Sequence, residues 1–180
     1  MSYECITYEQ NGGIAKIVLN RPNKLNALSR QTYTELNDAL DRAENSEDFR
    51  VLIITGNGRA FCAGGDLSEL ENVIGNVEAS QKRFRMAHAI SRKLNQLKQP
   101  IIVALNGDAF GGGLTLALSA DLRVCSEKAR LCLSFVKVGL VPDMGGIYHL
   151  PRLVGVAKAC ELAFFGDVID AFEAERIGLV

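Results

Sequence analysis

Tryptophan is absent from this chain, and only two histidines, His88 and His149, and four prolines occur in its 180 residues. The five cysteines (Cys5, Cys62, Cys125, Cys132, Cys160) are odd in number, scattered and never in a C-x-x-C pair. That distribution argues against a disulfide framework or a thiol metal site, and predicts thiols used as small apolar fillers in a reduced, cytoplasmic compartment. Charge of one sign is missing too: 20 Lys and Arg against 21 Asp and Glu give a formal net charge of −1. No global field therefore favours nucleic acid or an anionic membrane. No apolar run is long enough to span a bilayer. Met1-Ser2-Tyr3-Glu4-Cys5 lacks the basic-then-apolar pattern of a secretory signal, so none is expected.

What is present is ordinary globular composition, 48% hydrophobic and 23% charged, in a length that suits one domain over residues 1–180. Gly13 to Asn20 alternates as a strand with Ile14, Ile17 and Leu19 as its apolar positions, and Val51-Leu52-Ile53-Ile54 is a continuous apolar run of the kind buried on both faces. Ser29 is placed to cap a helix with Tyr33, Leu36, Leu40 and Ala43 on one face. Asp66-Leu67-Ser68-Glu69 reads as a capping box, and residues 72–80 as a polar, mobile stretch. A long amphipathic helix runs from about Gln81 to Leu97 until Pro100 stops it. Strands follow at 101–105, 122–126 and 130–133, a Gly/Pro-marked loop at 139–146, and helices from about Ile147, over 157–164 and from Ala171. Strands alternating with helices, joined by connections too long for hairpins, predict an α/β protein with largely parallel pairing.

The chemistry points to glycine. Between the strand Ile101–Leu105 and the apolar run Leu114–Leu118 lie Gly111-Gly112-Gly113. Glycines at a helix start strip Cβ atoms from the first turn and bare backbone N–H groups at the positive end of the helix dipole, a setting for an oxyanion or a phosphate. Close helix–strand packing is the competing explanation.

Four ordered segments carry a resemblance: Asn20-Arg21-Pro22-Asn23-Lys24-Leu25-Asn26-Ala27-Leu28, Ala60-Phe61-Cys62-Ala63-Gly64-Gly65-Asp66-Leu67, Asn106 to Leu118, and Gly139-Leu140-Val141-Pro142-Asp143-Met144-Gly145-Gly146. Together they resemble the enoyl-CoA hydratase/isomerase (crotonase) superfamily. The resemblance implies a superhelix of repeated ββα units, with the family's C-terminal helical segment truncated or absent. It implies acyl-CoA thioesters as substrates, no permanently bound cofactor, no metal, and a homotrimer or hexamer, weakened if that segment is missing. It also implies an oxyanion hole built from the Ala63 and Gly112 N–H groups, each worth roughly 2.7–4 kcal/mol of transition-state stabilisation. Lys24, Asn26, Ala27, Leu28, Ala63, Gly64, Gly65, Asp66, Leu67, Gly111, Thr115 and Phe135 fall on its substrate and CoA contacts. Arg21 and Lys24 could meet phosphates, and the basic face Lys82, Arg83, Arg85, Arg92, Lys93 reads mainly as solvated.

The departures from the family matter as much. Family hydratases use two glutamates; their positions here are Thr115 and Phe135, neither of which exchanges protons with water near neutral pH. One carboxylate remains, Asp143, in a loop that most resembles the ring-epoxide/oxepin-CoA isomerases of phenylacetate breakdown. Phe135, Leu140 and Val141 are expected to desolvate it and raise its pKa, fitting it as a single acid/base for a double-bond shift. Its competing role is a helix cap near Ile147. The alternatives are a thioester hydrolase with Asp143 as nucleophile or base, a family-type acyl-CoA hydratase, and a non-catalytic CoA-thioester-binding subunit. His88 and Cys62 read as structural residues, and Tyr148 as a residue able to orient a substrate.

Overall fold

In the computed structural model, which describes residues 3–46, 48–70 and 75–180, the strands fall into two sheets. Strands β1 (Ile6–Asn11), β2 (Ile14–Leu19), β3 (Val51–Gly56), β5 (Ile101–Leu105) and β7 (Leu122–Cys125) lie side by side in that order; β4 (Ala60–Cys62), β6 (Asp108–Phe110), β8 (Arg130–Cys132) and β9 (Ile169–Asp170) form the second sheet. The repeat is a ββα turn. β3 leads to β4 and then to α2 (Leu67–Leu70) and α3 (Val77–Gln96), β5 to β6 and α4 (Gly112–Leu118), and β7 to β8 and, after a 3-10 turn at Ser134–Val138, α5 (Gly146–Val154). Each turn adds one parallel strand to each sheet. The strand-to-helix corners therefore stack along one edge, which is where the glycine-rich segments converge.

Alternation selects the core. In β2, Ala15, Ile17 and Leu19 are buried against α1 (Arg30–Glu44), which presents Tyr33, Leu36, Ala39, Leu40 and Ala43. Ser29 caps α1 in a capping box with Thr32. Ile14, expected inside, points to solvent, because Ala15 takes the inward register. β3 also alternates: Leu52 and Ile54 are buried while Val51 and Ile53 are half-buried, so it is not sealed on both faces.

The expectation of no hairpins fails at the N-terminus, where β1 and β2 pair antiparallel. β1 buries only Ile6, so periodicity could not reveal it; it is held instead by Glu35, whose carboxylate accepts from the Glu4, Cys5 and Ile6 N–H groups at 3.0, 2.7 and 3.1 Å. α3 begins at Val77, capped by Asn76, so residues 77–80 of the expected mobile stretch are helical; residues 72–74 of it lie outside the described residues. α6 (Val156–Phe165) and α7 (Ala171–Arg176) complete the chain. Among the described residues no helix is long and apolar enough to cross a membrane, and no cluster of three His, Cys, Asp or Glu residues could hold a metal.

Candidate active site

The three glycines divide their work. Gly111 adopts φ 49° and ψ −121°, a left-handed bend that turns β6 into α4 without a Cβ penalty. Gly113 is a packing residue: a Cβ there would lie 2.6 Å from Cys62 Cβ and 2.8 Å from its Sγ, so α4 sits directly on β4 only because that side chain is missing. Gly112 is different. A Cβ there would meet nothing closer than Leu28 Cδ1 at 3.5 Å, and its N–H, first in the helix, takes no hydrogen-bond partner among the described residues.

The second donor is not Ala63. Its N–H is spent on the Leu25 carbonyl at 2.9 Å, and the Gly64 N–H points to Cys62 Sγ at 3.4 Å. The chain then forms an isolated parallel bridge with Leu28, in which Leu28 N–H donates to Gly64 O and Asp66 N–H to Leu28 O. That pattern leaves the Gly65 N–H unpaired among the described residues, with its nitrogen 3.8 Å from the place of a Gly112 Cβ. Gly64 makes the approach possible at φ 96°, where a Cβ would strike the Phe110 carbonyl at 2.8 Å. The pair of free donors is thus Gly65 and Gly112. The motif alone could not separate Gly65 from Ala63; the bridge to Leu28 decides it.

Both donors open on a cavity of about 250 Å³ that also includes Tyr33, Arg83, Phe135, Leu140 and Asp143 in its walls. Asp143 enters from the loop before α5. Its backbone carbonyl, not its carboxylate, accepts from Gly146 N–H, and α5 has Gly145 at its cap, so the side chain is not a helix cap. Its Oδ1 is buried and unpartnered among the described residues. Burial pushes its carboxyl above the usual range, with His88 and then Arg83 pulling the other way. The next residue, Met144, is fully buried in a left-handed conformation (φ 48°) with its sulfur 3.8 Å from the place of a Gly112 Cβ, which ties the Asp143 loop to the donor turn. Of the three apolar neighbours expected around Asp143, Phe135 and Leu140 line the cavity; Val141 is exposed and does not.

Several expected contacts prove internal. Asn26 is 1% exposed and its side chain is committed: Oδ1 accepts from Arg21 N–H, and Nδ2 donates to the Asn57 and Ala60 carbonyls, each at 2.9 Å. It locks a loop in which Leu25 and Asn26 both have positive φ, a conformation costly for side-chain-bearing residues. Leu28 is wholly buried beneath Gly112. Arg21 donates through Nη1 to Ala27 O at 2.6 Å and to Asp66 Oδ2 at 3.0 Å, so neither charge is offered to a ligand. Asp66 also accepts from the Ser68 N–H and hydroxyl; that hydroxyl first, then Arg21, holds its carboxyl below the usual range against the opposing effect of burial. The capping box fails there because Glu69 reaches the Arg30 N–H instead. Thr115 is fully buried, with Oγ1 donating to Gly112 O at 3.3 Å and its methyl packed on Gly146, so it is not a cavity residue. Lys24 is exposed at the end of a 3-10 turn (Pro22–Lys24), Ala27 is half-buried, and Leu67, Gly64 and Gly111 reach the cavity rim.

Outside the cavity, Tyr148 is exposed beneath the Arg152 guanidinium at 3.7 Å, which removes it as a substrate-orienting group. His88 is exposed. Cys62 is sealed in the core and its thiol is pushed up to about 12 by burial, an inert sulfur. The residue that sequence reasoning misplaced is Arg83. Read as part of a solvated face, it turns inward, whereas Lys82, Arg85 and Arg92 stay exposed.

Two backbone N–H groups without partners among the described residues, at glycine corners of a ββα scaffold, share a small cavity with one desolvated carboxylate, an arrangement able to stabilise a developing anion. Residues 9–180 match the family model described as Enoyl-CoA hydratase/isomerase, and the chain belongs to that family. It is 38% identical to the short-chain-enoyl-CoA hydratase of Clostridium acetobutylicum, covering all of this chain and 69% of that protein. It is 37% identical to the 1,2-epoxyphenylacetyl-CoA isomerase of Escherichia coli, covering 93% of this chain and 65% of that one. The crystal structure of enoyl-CoA hydratase from Bacillus anthracis superposes with a TM-score of 0.92 at 39% identity, over 98% of this chain and 69% of that one. The chain thus spans about two thirds of the length of these relatives and carries the crotonase fold.

Proposed function

We propose that this protein is an acyl-CoA isomerase in which Asp143 moves one proton between two carbons of an enolised thioester. The observation that carries this reading is the buried, unpartnered Oδ1 of Asp143 in the same cavity as the Gly65 and Gly112 donors. The thioester oxygen is taken between the two N–H groups. Asp143 removes a proton from the α-carbon of a 3-enoyl thioester, the electron pair delocalises onto the thioester oxygen, and the same carboxyl returns the proton at the γ-carbon, leaving the 2-enoyl isomer. CoA enters as part of the substrate, not as a resident cofactor, and the exposed Lys24, at the end of the 3-10 turn Pro22–Lys24, is its cationic contact in this reading.

Hydration is the activity in several relatives' names, but it needs a second proton-transfer group beside the attacking water. Phe135 lines the cavity without one, and Thr115 is buried with its hydroxyl turned to Gly112 O. A 3-enoyl-CoA should therefore be converted to 2-enoyl-CoA, and in deuterated water mass spectrometry should find deuterium at the γ-carbon only to the extent that the proton on Asp143 exchanges with solvent before its return. Faster hydration of 2-enoyl-CoA than isomerisation would sink the reading, and tight binding with neither exchange nor turnover would leave a CoA-thioester-binding protein.

A homo-oligomer, a trimer or a pair of trimers, belongs to the same reading. Val156, Phe164, Phe165, Val168 and Phe172 are all exposed on α6, β9 and α7 and their joints, more apolar surface than a solvated monomer usually carries. The double substitution Phe164→Asp/Phe165→Asp should shift the sedimentation coefficient from that of an oligomer to that of a monomer. A wild-type protein already monomeric at tens of micromolar would refute the assembly.

A further inference from the structure

The Arg83 guanidinium is a cation in the wall of the cavity that also holds Asp143. It forms no ion pair among the described residues, and its Nε is buried with no hydrogen-bond partner. Its carbon lies 5.7 Å from the centre of the Tyr33 ring, and its Nη2 occupies the space a side chain at residue 65 would need, 2.6 Å from the place of that Cβ. The guanidinium therefore stands on the Cα side of Gly65, beside the thioester-binding donors and not on the line of the Gly65 N–H. Across the cavity is Asp143, close enough for the two charges to act on each other but outside ion-pair distance.

A half-buried guanidinium with no ion-pair partner among the described residues is expensive unless something anionic completes it, and its planar fork matches a carboxylate better than any other group of similar size. The enolate oxygen already has two donors. Asp143 cannot swing onto Arg83 and still serve as base. What remains is the acyl group itself. Resting on the reading of this cavity as the acyl site of a CoA thioester, we propose that Arg83 is a specificity-determining residue that grips a carboxylate on the acyl chain, making the substrate class short unsaturated dicarboxylic acids esterified to CoA at one end. The cavity volume agrees with a short chain, and a carboxylate held on Arg83 would fix the chain between the donor pair and Asp143.

Binding of two unreactive thioesters of equal chain length, glutaryl-CoA and pentanoyl-CoA, tests this apart from catalysis. Titration calorimetry on the wild-type protein should show glutaryl-CoA bound at least tenfold more tightly, in line with a charge-assisted hydrogen bond. Arg83→Met should bring the two affinities within about threefold of each other, and Arg83→Lys should keep part of the preference. Equal affinity for the two in the wild-type protein would overturn the assignment, whatever the variants do. A preference that persists in a folded Arg83→Met would overturn it equally. Failure of both thioesters to bind would overturn the proposed function along with it.

Discussion

Asp143→Asn is expected to lower the isomerisation rate constant by 10²- to 10⁴-fold while leaving acyl-CoA affinity within a few-fold of wild type. The magnitude is the usual worth of a positioned acid/base. The split between rate and affinity follows from geometry: asparagine keeps the size and position of the side chain against Phe135 and Leu140, and Lys24, the CoA contact proposed above, is not among the residues that line this cavity. A single-turnover measurement with a 3-enoyl-CoA separates the two. Full retention of α-proton exchange in the variant would end the assignment.

The same carboxylate couples activity and stability to pH in opposite directions. Its folded-state pKa is raised above 3.8, chiefly by burial. As a base it works only when ionised, so the acid limb of kcat/KM should fall at a pH above 3.8. For folding, a raised pKa means that the native state holds the proton more tightly than the unfolded chain does. The carboxyl's favourable contribution is therefore complete below the unfolded value and is lost as pH rises through the folded one. At pH 7 the ionised group is a burden on the fold, so Asp143→Asn should melt higher than wild type at neutral pH, with the gap closing as the pH approaches 3.8. Gain in stability with loss of activity is the signature of a strained functional group, which a mere helix cap would reverse.

The scaffold was legible in the sequence wherever elements were long and strongly patterned: Ser29 and the stripe beneath it announced α1, and Ile101–Leu105 announced β5. It was illegible where tertiary pairing alone makes the element. β4 and β6 are three residues long, and β1 buries a single residue and depends on Glu35, 30 residues away from the Cys5 amide it accepts from. The site divides in the same way. Asp143 and Gly112 could be found because residue type marks them: a lone carboxylate in an apolar loop, a glycine at a helix start. Gly65 could not be told from Ala63, since a backbone N–H is free or spent according to which strand lies opposite. Arg83 could not be told from Lys82 or Arg85, since with three cations within four residues of one helix only the rotation of α3 against α1 decides which of them turns inward.

Gly112→Pro should cost 10²- to 10³-fold in turnover, the effect of deleting one oxyanion donor. Ordinary substitutions cannot test a backbone group, because they leave its N–H in place. Proline removes it, and here the backbone permits the change. Gly112 is the first residue of α4, the one helical position at which proline is favoured, since its fixed φ suits the turn and its N–H has no helical partner to lose. The preceding Gly111 has ψ −121°, extended enough to keep the proline ring off its backbone, and no Cβ to collide with. A Cβ at residue 112 meets only ordinary contacts. The fold should therefore survive, with a melting temperature near that of wild type, while the ring stands where the thioester oxygen must go. Gly113→Ala supplies the contrast one residue on. Its Cβ collides with Cys62, so it should unfold the turn and lose several kcal/mol of stability, with activity falling only in step with the folded fraction. If Gly112→Pro keeps both its fold and its turnover, the first helical N–H is not an oxyanion donor, and the glycine run serves packing alone.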